Sequence, residues 1–503
     1  MDRRVFIQSG MLAAAPAVST TQPRELTVSQ IQDAFQAGRL TSRALAESYL
    51  ARIHAIDKQG PAINAIIELN PEALSIAAAM DAERKSKGSR GPLHGVPVLI
   101  KDNIDTADRM KTSAGSLALA ESIAQRDAPL VVRLRAAGAV ILGKTNLSEW
   151  ANFRSTHSVS GWSGRGGQTL NPYALDRNPS GSSSGSGAAV AANLCAVAVG
   201  TETDGSVTSP AALCGLVGMK PTVGVIPGAG IIPISHTQDT AGPMARTVRD
   251  AAALLSVLAG RDFTSTLDGD GLCGARIGVA RKFFGNNSRV DALIEEAINV
   301  VALAGAYIVD PADLPTHGKY KEAELEVMLY EYKADLNAYL GSLPARAEVH
   351  SITDVILFNE KFRKTEMPFF GQEILIQAVN KGPLTEKAYL DALATAHRLT
   401  REEGIDAVLK QHHLDAIIAP TSGPAWLIDH INGDYDVGDC TSPAAIAGYP
   451  HITVPAGFVG GLPVGLSFFA SANSDKRLLE IAFAYEQASK ARRPPQFKRT
   501  AGA

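Results

Sequence analysis

Apolar residues recur at spacings of four, four and three through Leu45, Tyr49, Ile53 and Ile56, the period of one helix face, and Thr41 stands where an N-cap belongs. The spacing predicts a helix beginning near Thr41. From Gly95 the pattern changes. Val96-Pro97-Val98-Leu99-Ile100 and Ala139-Val140-Ile141-Leu142 are short, continuous apolar runs, the first closed by Lys101-Asp102-Asn103-Ile104-Asp105 and the second by Gly143-Lys144. They read as buried strands that end in polar groups. Val131-Val132-Arg133-Leu134-Arg135 fits a helix between them. Arg276-Ile277-Gly278-Val279-Ala280, the helical stretch 290–303 and Tyr307-Ile308-Val309 form another strand-helix-strand unit. Strand-like text returns in His451-Ile452-Thr453-Val454-Pro455 and Val464-Gly465-Leu466-Ser467-Phe468, which is expected to complete the central sheet. Alternation of this kind predicts an α/β fold.

Composition narrows the function classes. A chain of 503 residues is long enough for a large core or for two or three packed subdomains. Lys plus Arg number 48 against 51 acidic residues, a net charge of −3, so there is no basic surplus for a phosphate backbone and nucleic acid is not an expected partner. The best internal apolar run, 187–200, is too short for a membrane span and carries Asn193, so no stable membrane insertion is expected. The four cysteines, Cys195, Cys214, Cys273 and Cys440, lack Cys-x-x-Cys spacing and are expected as buried free thiols. No His-Glu-x-x-His occurs among the 11 histidines, and the adjacent His412 and His413 point to different sides of any regular element, so no metal is predicted.

At the N-terminus, Arg3 and Arg4 precede Val5-Phe6-Ile7, an apolar stretch 11–18 and Ala15-Pro16-Ala17. This order reads as a twin-arginine export signal over residues 1–20, which predicts a periplasmic or secreted protein. Residues 26–503 are treated as one catalytic unit. Within it, about 260–442 holds Phe358, Phe362, Phe369, Phe370 and Trp426 in irregular spacing; it reads as a lid or substrate-pocket region, or as extra helices packed on the core.

The most unusual text is Asn178-Pro179-Ser180-Gly181-Ser182-Ser183-Ser184-Gly185-Ser186-Gly187, running into an Ala/Val helix and then the strand-like Ala196-Val197-Ala198-Val199. A flexible linker would not have such core-like flanks, and no phosphate-loop pattern is present. A second polar turn, Gly200-Thr201-Glu202-Thr203-Asp204-Gly205-Ser206-Val207-Thr208, follows the strand. One helix and one strand between the turns can bring Ser182 and Ser206 together. A serine hydroxyl needs a base to take its proton, and neither turn contains histidine. Two lysines, Lys101 and Lys144, stand at comparable strand ends; Lys101 with Ser182 and Ser206 suggests a Ser-Ser-Lys device. Lowering a lysine from about 10.4 toward 7 costs roughly 4 to 5 kcal/mol, which desolvation can supply. The competing expectation is an ordinary Lys101 paired with Asp102 and Asp105.

With these residues in hand, the chain resembles the amidase signature family of serine hydrolases from about residue 26 to 495. The likeness runs through 91–97, Lys101-Asp102-Asn103, Leu142-Gly143-Lys144-Thr145-Asn146, 164–169, both serine turns, Gly218-Met219-Lys220-Pro221-Thr222 and 239–246. The resemblance implies a twisted mixed β-sheet covered by helices on both sides. It also implies Ser206 as nucleophile, Ser182 as intermediary in a cis peptide, Lys101 as general base and Ser183 as a supporting residue. The N–H groups of Thr203, Asp204, Gly205 and Ser206 would form the oxyanion hole, and the acyl transfer would need no cofactor.

Departures from the family pattern bear on substrate. Many relatives read Gly-Gly-Ser-Ile-Arg where this chain has Asp204-Gly205-Ser206-Val207-Thr208. Thr208 in place of arginine argues against a small dicarboxylate half-amide and against a glutamine-using transamidosome subunit. Asp204 must turn its carboxylate away from a developing oxyanion. The Thr-Glu-Thr-Asp-Gly-Ser form, 149–154 and Gly161-Trp162-Ser163 look most like the peptide amidase branch, which removes the C-terminal amide from peptides. A small peptide amide is therefore the expected substrate, with general aliphatic or aryl amides as the alternative. Two other readings compete. Gly181-Ser182-Ser183-Ser184-Gly185 matches the Gly-x-Ser-x-Gly elbow with Ser183 as nucleophile, but Pro172 and Pro179 flank a polar segment where the elbow needs a strand. A non-catalytic periplasmic binding protein would not need an intact Lys101, Ser182 and Ser206. Trp150 and Trp162 are expected in the core or along the acyl pocket, and Arg246 in a structural ion pair with Asp250.

Overall fold

In the computed structural model, which describes residues 25–502, the apolar runs assemble into one eleven-stranded mixed sheet. Its spatial order is 66–69, 140–145, 97–101, 197–202, 240–245, 217–220, 451–459, 462–469, 416–420, 276–279 and 307–309. The export signal expected at 1–20 lies outside the described residues.

The predicted elements appear close to where the pattern put them. Thr41 caps helix Ser42–Arg52, its side chain accepting from the Ala44 N–H. Pro97–Lys101 pairs in parallel with both Val140–Thr145 and Val197–Glu202. The strand expected at 196–199 runs on through Glu202, although its end is polar. Gly200, Thr201 and Glu202 are held extended by antiparallel pairing with Gly242, Ala241 and Thr240, a partner strand that local pattern does not reveal. His451–Val459 and Leu462–Phe469 pair with each other and fill the middle of the sheet. Within 260–442, strands Arg276–Val279, Tyr307–Val309 and Ala416–Pro420 belong to the same sheet.

Helices cover both faces. Alternation along Leu462–Phe469 sends Phe468 against Tyr485 of helix Asp475–Ser489. Its neighbour Ser467 points the other way, donating to Thr421 Oγ1 beneath helix Thr208–Leu213. The helices Lys321–Gly341, Ile352–Lys361 and Glu373–Val379 form a satellite cluster with Trp150, Phe153, Ile232 and Ile234. Cys195, Cys214 and Cys440 are buried free thiols, as expected, but Cys273 is exposed. No described helix is long and apolar enough to cross a membrane.

Arg246 is structural, though not through the expected ion pair. Its guanidinium donates to the carbonyls of Val190 (3.2 Å), Cys195 (2.9 Å) and Leu26 (2.9 Å). Asp250 accepts instead from the Val28 N–H at 3.0 Å. Three carbonyls, two from the 190–195 connection and one from Leu26, hold the guanidinium in place of the carboxylate four residues on.

Candidate active site

Lysines 101, 144 and 220 each stand at or next to the end of a strand and are fully buried, yet only Lys101 reaches a serine. Lys101 Nζ lies 2.7 Å from Ser182 Oγ, 2.9 Å from Thr201 Oγ1 and 3.2 Å from the Thr201 carbonyl. Thr201 Oγ1 also accepts from Asn103 Nδ2 at 3.0 Å. Burial pushes Lys101 down to about 7 against the opposing fields of Asp239 and Glu202. The ordinary ion-paired lysine is therefore not what the fold builds. Asp102 pairs with Arg165 at 3.2 Å, and Asp105 accepts from the Tyr339 hydroxyl at 2.9 Å. Lys144 donates to the Ile104 carbonyl (2.6 Å) and to Thr112 Oγ1 (3.1 Å), and Lys220 donates to the Pro221 carbonyl at 3.2 Å.

The two serine turns lock together through the backbone. Ser183 N–H donates to the Ser206 carbonyl at 3.2 Å. Ser183 Oγ donates to the Thr201 carbonyl at 3.1 Å and accepts from the Thr201 N–H at 3.2 Å. Ser183 is thus spent on tethering the turn to the strand. The peptide bond Gly181–Ser182 is cis. Gly185 has no room for a side chain, since a Cβ there would sit 2.3 Å from the Ala65 carbonyl oxygen. Ser182 is fully buried against Lys101, while Ser206 keeps 8% of its surface.

Glu202 shapes the second turn. Its Oε2 accepts the N–H groups of Val207 (2.7 Å) and Thr208 (2.9 Å) and the Thr208 hydroxyl (3.1 Å). The N–H groups of Thr203, Asp204, Gly205 and Ser206, just before it, meet no acceptor among the described residues. Gly205 has φ +75°, and a Cβ there would come within 3.0 Å of Thr441 Oγ1, so only glycine fits. The Asp204 carboxylate is turned off the N–H side, accepting from Thr441 Oγ1 and Ser442 Oγ at 2.7 Å each. Burial and the neighbouring Asp439 push it up to about 6. Thr203 Oγ1 donates to Asp239 at 2.5 Å, and Asp239 also accepts from the N–H groups of Ile234 and Ser235.

Thr201, Glu202 and Asp239 carry this geometry without having been singled out in the sequence. All three lie inside stretches that carried the family resemblance, and Glu202 is an acid directly before the turn whose N–H groups it collects.

Trp150 is buried in the satellite cluster. Trp162 packs edge-on against Phe369 (5.5 Å) and Phe370 (5.2 Å). Fully buried Arg154 lies over Phe370 (4.2 Å) and donates to Glu149 and to the Glu366 carbonyl (2.7 Å). This ties segment 363–373 to the 149–154 turn. Both tryptophans pack as the core expectation had it.

A Ser183 elbow with a histidine finds no support in the geometry: buried His451 bonds Ser467 at 2.6 Å, and His94 binds Arg90 and Met80 backbone groups. The fold does assemble one trio of potential metal ligands among the described residues, His236, Glu331 and Asp335. Its atoms are engaged by protein groups. His236 Nδ1 meets Asp335 Oδ2 at 2.8 Å, and Glu331 accepts from Ser235 Oγ (2.5 Å) and the Tyr389 hydroxyl (2.7 Å).

A family model described as Amidase matches residues 44–479. The chain belongs to the amidase family. This amidase is 42% identical to a probable amidase of Arabidopsis thaliana, over 99% of this chain and 96% of that one. Its structure matches the peptide amidase PAM in complex with the competitive inhibitor chymostatin, at TM-score 0.91 and 51% identity, covering 94% of this chain and 99% of that one. It also matches the native peptide amidase from Stenotrophomonas maltophilia, at TM-score 0.89 and 50% identity, covering 96% and 99%. The amidase signature fold and an amide-hydrolysing enzyme, both implied by the sequence resemblance, are thereby established.

Proposed function

We propose that this amidase releases ammonia from C-terminally amidated peptides through an acyl-enzyme on Ser206, with Ser182 and Lys101 as the proton relay. The observation that carries the mechanism is the three-way contact of Lys101 Nζ with Ser182 Oγ, Thr201 Oγ1 and the Thr201 carbonyl. A neutral amine has two N–H donors and one lone pair. The Thr201 oxygens take the two donors, which leaves the lone pair for the Ser182 hydroxyl proton. Ser182 can then accept the proton of Ser206 as Ser206 Oγ attacks the amide carbon. The N–H groups of 203–206 receive the oxyanion, a kind of contact worth about 3 to 4 kcal/mol per donor in the transition state. On collapse, the proton returns through Ser182 to the departing nitrogen, which leaves as ammonia. Water then attacks the Ser206 ester through the same relay and releases the free carboxylic acid.

The peptide amide preference rests on the likeness to the two peptide amidase structures and on Thr208, whose hydroxyl serves Glu202 and presents no cation to a substrate carboxylate. The Arg3-Arg4 leader supports an extracytoplasmic location, which sequencing of the mature N-terminus tests. For the mechanism, a fluorophosphonate should label Ser206, and Ser206→Ala should give no adduct. An adduct mapped to Ser183 that persists in Ser206→Ala overturns the assignment. For the substrate, amidated di- to hexapeptides should exceed acetamide, malonamate and glutamine in kcat/KM. A small aliphatic or aryl amide that surpasses every peptide amide makes the enzyme a general amidase instead.

A further inference from the structure

Two buried polar groups beside the serine turns have no partner. Trp150 and Tyr332 are each only 1% exposed, and neither the Trp150 indole N–H nor the Tyr332 hydroxyl meets a hydrogen-bonding atom among the described residues. Buried tryptophan and tyrosine normally find partners for these groups, and leaving one unpaired costs about 1 to 3 kcal/mol. Both side chains belong to one apolar cluster, together with Ile232 and Ile234, so two orphan donors stand in the same satellite core.

That core borders the reacting atoms. Ser148 N–H donates to the Ser182 carbonyl at 3.1 Å, and Trp150 N–H donates to the Ala114 carbonyl at 3.0 Å. Ser113 and Ala114 in turn donate their N–H groups to the carbonyl of Asp102, the residue after Lys101. Trp150 is thus pinned between the serine turn and the lysine strand. It is held there at a cost: Trp150, Ala151 and Asn152 have φ of +50°, +54° and +75°, three consecutive left-handed residues other than glycine. Such strain persists where the surroundings impose it, most often at functional sites. Tyr332 comes from helix Lys321–Gly341, which grips the loop beside the oxyanion turn. Glu331 accepts from Ser235 and Thr237, and Glu324 accepts from Gln238, whose Nε2 also donates to the Thr203 carbonyl. The Tyr332 hydroxyl lies in the fields of Glu149 and Asp239, one adjacent to Trp150 in sequence and the other bonded to Thr203.

We infer that the Trp150 indole N–H and the Tyr332 hydroxyl receive a second carbonyl oxygen of the substrate, the one that precedes the amidated residue. Both groups donate, and an indole N–H can only donate, so their natural guest is an acceptor. A simple amide has one carbonyl, which the N–H groups of 203–206 claim. An acylated amino acid amide has another one residue back, and without it the two buried donors stay unpaired. A site built to bond a polar group discriminates strongly against analogues that lack it. The inference rests on the peptide amide reading above and supplies its physical basis.

The test uses N-acetylphenylalaninamide and 3-phenylpropanamide, which differ only by the acetamido group, with wild type, Tyr332→Phe and Trp150→Phe. The ratio of kcat/KM for the first substrate over the second should be well above one for wild type. It should fall about tenfold in Tyr332→Phe, the equivalent of about 1.4 kcal/mol, and by at least as much in Trp150→Phe. A selective wild type whose ratio is unchanged in folded Tyr332→Phe overturns the hydrogen-bond assignment while leaving the peptide amide reading intact. A wild type that prefers 3-phenylpropanamide overturns both. Tyr332→Phe removes a single oxygen, so the assignment stays testable if Trp150→Phe does not fold.

Discussion

Lys101 and Lys144 stand at or next to the ends of adjacent parallel strands, with Ile100 opposite Lys144 and Lys101 opposite Thr145 in the register. Both are fully buried. Desolvation lowers both, at Lys144 against the fields of Asp102 and Asp105, and the contacts of Lys144 are the Ile104 carbonyl and Thr112 Oγ1. The opposing carboxylates of Lys101, Asp239 and Glu202, are occupied elsewhere, and its own contacts are two hydroxyls and a carbonyl. Equal burial thus lowers both lysines, but only Lys101 has a serine hydroxyl to serve. What separates them is the company each keeps across the sheet.

The sharpest way to break this comparison is to remove each lysine in turn. Lys101→Ala should lower kcat by about two to four orders of magnitude, the usual size of a general-base effect, while the protein stays folded. Lys144→Met should instead destabilise by about 1 to 3 kcal/mol, because it takes the buried donor from the Ile104 carbonyl and the Thr112 hydroxyl, and its folded fraction should keep most of its turnover. Denaturant melts alongside single-substrate kinetics decide the matter, and equal activity losses at equal stability would erase the distinction.

The serines give a parallel contrast of the same or slightly smaller size. Ser182→Ala breaks the link to Lys101 and should cost about two to four orders of magnitude in kcat, with slow residual fluorophosphonate labelling of Ser206. Ser183→Ala cuts only the tether to Thr201, so the loss should be milder and accompanied by a lower Tm. A Ser183→Ala variant more impaired than Ser182→Ala would reverse the roles.

A pH series sharpens the lysine assignment. Only neutral Lys101 accepts a proton, so activity should rise with pH through an apparent value near 7. Stability follows the same group. Its folded value lies below the ordinary 10.5, so between about 7 and 10.5 the unfolded chain binds the extra proton, and stability from this residue rises with pH across that window. At and below pH 7 the buried lysine subtracts roughly 5 kcal/mol by the same shift. Lys101→Met should therefore be more stable than wild type at pH 7, with the gap in Tm closing toward pH 10. A gap independent of pH would mean that the group is not depressed.

The smallest effect is expected at Glu202. Glu202→Gln keeps the shape but replaces charge-assisted acceptance from Val207 and Thr208 by neutral bonds. A loss of about 1 kcal/mol in stability and a several-fold loss in kcat should follow. A neutral outcome in both would show that the turn holds its N–H groups free without the charge.

Much of this was legible along the chain. The period of Leu45, Tyr49 and Ile53, the strand runs that end at Lys101 and Lys144, and the small-residue helix after the serine turn are local patterns, and hydrophobic periodicity reports local structure well. The two serine turns offered hydroxyls with no histidine beside them in residue types alone, while the roles of Ser182 and Ser206 and the demand on Asp204 came with the family resemblance. Partners were another matter. Lys101 and Ser182 are 81 residues apart and Lys101 and Thr201 are 100 apart, distances over which no periodicity operates. The carbonyl cage of Arg246, the extension of a strand through polar Glu202, the exposure of Cys273 and the meeting of Trp150 with Tyr332 in one satellite core depend on which segments the sheet order makes neighbours. The sequence by itself determined which groups were available and where the strands would present them. Only the tertiary structure decided which of two equally buried lysines would meet a serine hydroxyl, because a side chain is governed by atoms within a few ångströms, and those atoms come from across the sheet.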